Sequence, residues 1–154
     1  MPIFEAARRY REQAVPLVVV AGDRYGTGSS RDWSAKGPRE LGVRAVIVIS
    51  FERLHRANLV AAGVLPLQFA VANDASLLTG EETLTIDGLS ALATPLAAVR
   101  CEVRRADGST ATLPLIAALH TRSEFEQFAA GGLYRLLFAR LLREAGGGRG
   151  AGPC

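Results

Sequence analysis

The sequence predicts an α/β domain in layers, with a parallel sheet core and an antiparallel hairpin appended. Three observations predict it. Leu17–Ala21 and Ala45–Ile49 are continuous β-branched runs, read as strands buried on both faces. A helical pattern follows each, and a third strand, Leu65–Phe69, comes after the second. Short strand–helix–strand connections imply parallel pairing with right-handed crossovers. Further on, Val99–Arg105 and Thr110–Ala118 flank Asp107-Gly108, a strong hairpin signal.

The remaining elements follow in order. Ile3–Gln13 reads as a helix, because Ile3, Phe4, Ala7 and Tyr10 recur at helical spacing while Arg8, Arg9 and Arg11 face elsewhere. Pro16 prevents its continuation. Residues 22–30 form a loop. Arg31–Leu41 reads as a helix that Gly37-Pro38 shortens or kinks. Arg53–Ala62 is a third helix, closed by Gly63. Thr83–Ile86 alternates as a half-buried strand does. Ser123–Glu144 reads as a long amphipathic helix interrupted by Gly131-Gly132. The expected organisation is one domain over 1–145 and a disordered Gly-rich tail over 146–154.

Composition narrows the function classes. A chain of 154 residues, 49% apolar, can bury a core without staples. The net charge is +3 and almost all the positive charge is Arg, Lys36 being the single lysine. The charges are scattered and no basic run interleaves with aromatics, so RNA or DNA binding does not follow. Val15–Ala21 is too short to span a bilayer, and Met1–Glu12 is charged and amphipathic. These features make a cytoplasmic protein, without a membrane partner, the expectation. Cys101 and Cys154 show no metal-ligand spacing, so this chain is expected to ligate no metal. Cys101 reads as a buried thiol.

The informative segment is Tyr25-Gly26-Thr27-Gly28-Ser29-Ser30-Arg31-Asp32-Trp33. It leaves a parallel strand and enters a helix, where ligands of open α/β sheets bind. Gly26 and Gly28 let the backbone approach a ligand closely. Unpaired N–H groups at a helix start favour an anion. Arg31 adds a forked carboxylate clamp, and the serines supply hydroxyls. The loop alone predicts a small carboxylate or phosphate ligand. The same residues also suit a tight turn with Ser29 or Ser30 as a helix N-cap. It is neither a Walker loop nor the dinucleotide fingerprint, which need a following Lys or a third Gly.

The run from Tyr25 through Ala35-Lys36-Gly37 resembles the swivelling domain of the aconitase family. Ser50-Phe51-Glu52-Arg53-Leu54-His55-Arg56-Ala57-Asn58-Leu59 resembles it too, as does Gly63-Val64-Leu65-Pro66-Leu67-Gln68-Phe69. Pro2–Tyr10 is similar to the helix before that loop, and Phe128–Leu133 to the domain's close. The Asp32-Trp33 extension resembles the aconitase A, iron-regulatory-protein and 2-methylisocitrate dehydratase branch. Two places depart from the pattern: Val48-Ile49 stands where Ala-Glu is usual, and Ala61-Ala62-Gly63 where Gly-Met-Gly is frequent.

The resemblance implies a swivelling β/β/α fold, N-terminally incomplete because the family's domain begins earlier. It implies that Ser29 is the catalytic base, removing a proton next to a carboxylate. Ser30, Arg31 and Gly28 would bind the substrate, supported by Tyr25, Gly26, Asp32 and His55. A 4Fe-4S cluster is implied in a cluster-bearing large chain or domains, not in this chain. The substrate would be a small tricarboxylate or dicarboxylate, either citrate-like, 2-methylcitrate-like or an alkylmalate. Alone, the chain would have no hydro-lyase activity, whether it is a split subunit, a truncated product or a fragment. A non-catalytic carboxylate- or RNA-binding remnant is the competing reading.

Other residues carry blander expectations. His55 reads as a packed, hydrogen-bonded helix histidine, and His120 as a cap or surface residue. Asp32 either orients Arg31 or favours the helix N-terminus. Trp33 reads as core. Arg53 and Arg56 read as a solvated helix face. The stripe Leu133, Leu136, Leu137, Leu141 reads as core or a domain interface.

Overall fold

A computed structural model describes residues 1–28, 31–89, 92 and 94–147. Its strands are β1 (Leu17–Ala21), β2 (Val43–Val48), β3 (Leu65–Phe69), β4 (Thr83–Asp87), β5 (Ala98–Arg104) and β6 (Thr110–Ala117). Its helices are α1 (Ile3–Glu12), α2 (Trp33–Glu40), α3 (Arg53–Ala61), α4 (Arg122–Ala129) and α5 (Leu133–Gly147), and Ala72–Leu77 forms a 3-10 turn that the sequence did not suggest.

The six strands form one sheet in the order β1-β2-β3-β6-β5-β4. β1, β2 and β3 are parallel, with Val19 opposite Val46 and Ile47 opposite Leu67. β6 runs antiparallel to β3, placing Leu67 opposite Ala117, and β5 pairs antiparallel with both β6 and β4. The hairpin turns at Gly108, whose φ of +82° is left-handed.

β2 feeds both layers of the core. Ala45 and Ile47 join a cluster with Leu65, Leu67, Cys101 and Leu115. Val46 and Val48 join a second, with Ala35, Leu59 and Val64 under α2 and α3. That alternation is the strand period of two. β1 differs from its expectation. It lies at the sheet edge with one neighbouring strand, so it is only half-buried, and Val20 is 41% exposed.

Helix ends explain the glycines. At the close of α3, Gly63 N–H donates to Val60 O and Val64 N–H to Leu59 O, both through left-handed Gly63. After α4, Gly131 N–H donates to Phe128 O and Gly132 N–H to Gln127 O. Both are Schellman closures. A Cβ on Gly63 would lie 2.4 Å from Gly131 O, and one on Gly132 would lie 2.8 Å from Ala61 O. The two closures therefore pack backbone to backbone. The interrupted helix over Ser123–Glu144 is in fact two helices, because both glycines take positive φ. α5 runs on to Gly147, two residues into the expected tail; residues 148–154, Cys154 among them, lie outside the described residues. Leu137 and Leu141 of the expected stripe are exposed, so they are not core.

Candidate functional site

The site is built where β1 and β2 end. Past β1, the chain crosses the top of β2 and is pinned to the β2–α3 connection. Ile49 N–H donates to Gly22 O at 3.2 Å, Tyr25 N–H to Ser50 O at 2.9 Å, and Glu52 N–H to Tyr25 O at 2.9 Å. Ser50 adds side-chain bonds. Its hydroxyl donates to the Asp23 carboxylate and accepts from Arg24 N–H. Two carboxyl-end loops are thereby joined at the position where open α/β sheets bind ligands.

Gly26 and His55 are fitted to one another. Gly26 has φ +94°, and a Cβ there would fall 2.2 Å from the His55 ring. The close backbone approach expected for a ligand is thus made here to a histidine of α3. Gly28 differs: a Cβ would meet nothing within 4 Å among the described residues.

His55 is 1% exposed, beneath Tyr25, whose ring meets it edge-on at 5.1 Å between centroids. Ser34 Oγ donates to Arg31 O at 3.0 Å and lies 3.5 Å from His55 Nδ1. Burial lowers the His55 pKa below its ordinary value, opposed by the Arg31 carbonyl and Glu52. The ring is neutral at pH 7. His55 Nε2 is buried without a hydrogen bond among the described residues.

Glu52 is the residue that sequence reasoning left out of the site. Its Oε2 accepts the N–H groups of Leu54 and His55 at 2.9 Å each, capping α3. Its Oε1 meets Arg31 Nη1 at 3.1 Å. The His55 N–H bond, with Arg31 contributing, holds the Glu52 carboxyl below its ordinary value. The signal was an acidic residue immediately before a helix. Arg31 is held again by its own loop, through Nε donating to Gly28 O at 3.2 Å.

Asp32 stands at the N-cap position of α2 without a side-chain capping bond, and its carboxylate pairs with Lys36 Nζ at 2.6 Å. Two expectations change here. Trp33 is 72% exposed, not core. Arg56 is 7% exposed, not on a solvated face as Arg53 is. Its guanidinium grips Glu124 with Nη1 at 3.0 Å and Nη2 at 2.8 Å, and donates to Ala118 O at 2.8 Å. That clamp ties α3 to the start of α4, where exposed His120 gives its N–H to the same carboxylate. Ser29 and Ser30 lie outside the described residues.

A family model for the aconitase C-terminal domain matches residues 1–72, which include the whole of this loop system. Aconitate hydratase A of Pseudomonas aeruginosa is 49% identical over 144 residues, covering 92% of this chain. The chain is similar to the aconitase C-terminal domain family over residues 1–72, and to aconitate hydratase A along most of its length. Aconitate hydratase A of Escherichia coli is 44% identical over 92% of the chain, and that of Thermus thermophilus 45% over 93%. The chain spans only 16% of the length of these relatives. A crystal structure of 3-isopropylmalate dehydratase from Methanocaldococcus jannaschii aligns with TM-score 0.57 at 23% identity, over 96% of this chain and 84% of that one. That likeness shows the fold. The shared fold is a mixed sheet with a parallel and an antiparallel half.

Among the described residues, no three His, Cys, Asp or Glu side chains form a metal site. Cys101 is buried in β5, where burial and then Asp87 push its thiol up to about 11. Such a thiol is a poor ligand. No described helix is long and apolar enough to cross a membrane.

Proposed function

We propose that this chain is the swivelling-domain component of an aconitase-type hydro-lyase acting on a citrate-like tricarboxylate. It gives a cluster-bearing large chain the Ser29 base and the Arg31 carboxylate clamp. The observation that carries the reading is the Arg31 guanidinium held by Glu52 and Gly28 O, at the carboxyl ends of β1 and β2, in a chain similar to this family.

The chemistry assigned to each residue follows from its type. Arg31 presents a fork that matches a substrate carboxylate. Ser30 adds a hydroxyl donor to the same carboxylate. Gly28, with open space at its Cα, admits the substrate against the backbone. Ser29 takes the proton from the carbon beside a carboxylate. A serine is a weak base in water, so the cation at Arg31 and nearby N–H groups must favour its alkoxide. A 4Fe-4S cluster in the partner supplies Lewis acidity for the departing hydroxyl. Tyr25, Gly26 and His55 act behind the loop by fixing its path, and Asp32 by pairing Lys36 at the start of α2.

The test is reconstitution. The chain is mixed anaerobically with the cluster-bearing remainder of Pseudomonas aeruginosa aconitate hydratase A, from which the segment matching this chain has been removed. Hydration of aconitate and of 2-methylaconitate is then assayed. Turnover that requires both chains supports the reading, and the preferred acid names the substrate. A stable complex without turnover of either acid contradicts it.

A further inference from the structure

The apolar side chains that α5 leaves in solvent fall on one stripe. Tyr134, Leu137, Phe138, Leu141 and Leu142 are all exposed, Tyr134 by 72%, Phe138 by 64% and Leu141 by 62%. Their spacing of i, i+3, i+4, i+7 and i+8 is one face of a helix. Arg140, off the stripe, is occupied by Glu126 at 2.9 Å.

The stripe is continuous with the candidate site. Lys36 Nζ lies 6.0 Å from the Tyr134 ring centroid and 5.8 Å from that of Trp33. Trp33 is two residues from Arg31 and as exposed as Tyr134. Between them is a cleft of about 540 Å³, bordered by Asp32, Lys36, Arg39 and Arg135. A single surface thus runs from Arg31 across Trp33 and Tyr134 and along α5. Six large side chains at these exposures offer on the order of 600 Å², near the ~800 Å² each partner contributes to a standard interface.

We infer that this surface, from Trp33 along the α5 stripe, is where the cluster-bearing chain docks. The inference rests on the enzyme-component reading. On that reading the partner completes the site at Arg31, and the apolar surface begins at Trp33, beside that loop. Lys36, Arg39 and Arg135 border the cleft against Asp32 and Glu40, which leaves that edge with a small positive excess. The partner surface is therefore an apolar ridge with carboxylates along that edge.

The experiment measures the affinity of the full chain for the same cluster-bearing remainder of the Pseudomonas aeruginosa protein, under anaerobic conditions. Phe138→Asp/Leu141→Asp is compared with wild type and with Leu77→Asp, an exposed leucine of the 3-10 turn. Circular dichroism checks that each is folded, and sedimentation of the chain alone reports self-association. The docking face predicts that the α5 double variant weakens binding about 100-fold or more while Leu77→Asp binds as wild type does. Binding by the double variant at wild-type affinity overturns the docking face and leaves the enzyme-component reading standing. A wild-type chain that does not bind at all overturns that reading, and the docking face with it. A dimer of the chain alone that the double variant abolishes assigns the stripe to a second copy and also overturns the inference.

Discussion

Arg31 Nη1 and Glu52 Oε1 meet at 3.1 Å, while the other oxygen of Glu52 caps α3. One carboxylate therefore fixes both the direction of the Arg31 guanidinium and the start of the helix that carries His55. The pair is partly exposed, so its worth lies in orientation more than in stability. In the reconstituted enzyme, Glu52→Ala is expected to raise KM about tenfold, since outer partners that orient a binding group typically matter by 10–100-fold. Glu52→Gln keeps an acceptor for the helix cap and loses only the charge on Arg31. Its KM falls between the two. Steady-state kinetics on the three forms decide this, and equal KM values would separate Glu52 from the site.

Gly26 has no room for a side chain. Gly26→Ala combines a left-handed φ with a Cβ 2.2 Å from the His55 ring. The expected loss of stability is about 3 kcal/mol, read from urea unfolding of the isolated chain. Gly28→Ala meets open space and should leave stability unchanged while weakening substrate binding.

The Arg56–Glu124 clamp makes stability depend on pH. Burial raises the Glu124 carboxyl, but Arg56 and the His120 N–H outweigh it, so its pKa lies below the ordinary 4.5. A carboxyl depressed on folding contributes stability that is fully present above that ordinary value and lost as pH falls through the folded one. Wild type is expected to exceed Glu124→Gln in unfolding free energy at about pH 6, the gap closing towards about pH 3. Arg56→Ala leaves the partly buried Glu124 carboxylate with the His120 N–H but without its cation, at a cost of about 2 kcal/mol near neutrality. Denaturant titrations across pH check both; a gap that stays constant would place the proton uptake elsewhere.

α1 ends in a Schellman closure through an alanine. Ala14 has φ +55°, and Val15 N–H donates to Tyr10 O. Glycine tolerates that conformation better, so Ala14→Gly should stabilise the chain by about 0.5–1 kcal/mol. A fall in the urea midpoint would contradict it.

The sequence was most legible where local rules and burial agree. The runs in β2 and β3, the turn at Asp107-Gly108 and the closure at Gly63 are each imposed by a few neighbouring residues. What it hid depends on which elements meet in space. β1 has the composition of a central strand but occupies the sheet edge. Arg56 sits on a helix turn of arginines, yet its partner Glu124 is 68 residues away. Trp33 has a core residue's chemistry and stands in solvent beside the cleft. Arg31 and Gly28 stand out as candidates from the loop alone. Glu52 required knowing that the β1 and β2 loops are bonded together.

The central claim is that Ser29 supplies the base, and the most direct measurement is turnover of Ser29→Ala in the anaerobically reconstituted enzyme. The account predicts that this variant binds the cluster-bearing chain and the substrate as wild type does, while kcat falls by at least about 100-fold, the scale of a lost positioned proton transfer. Turnover within a few-fold of wild type would contradict it and assign the proton transfer to another group.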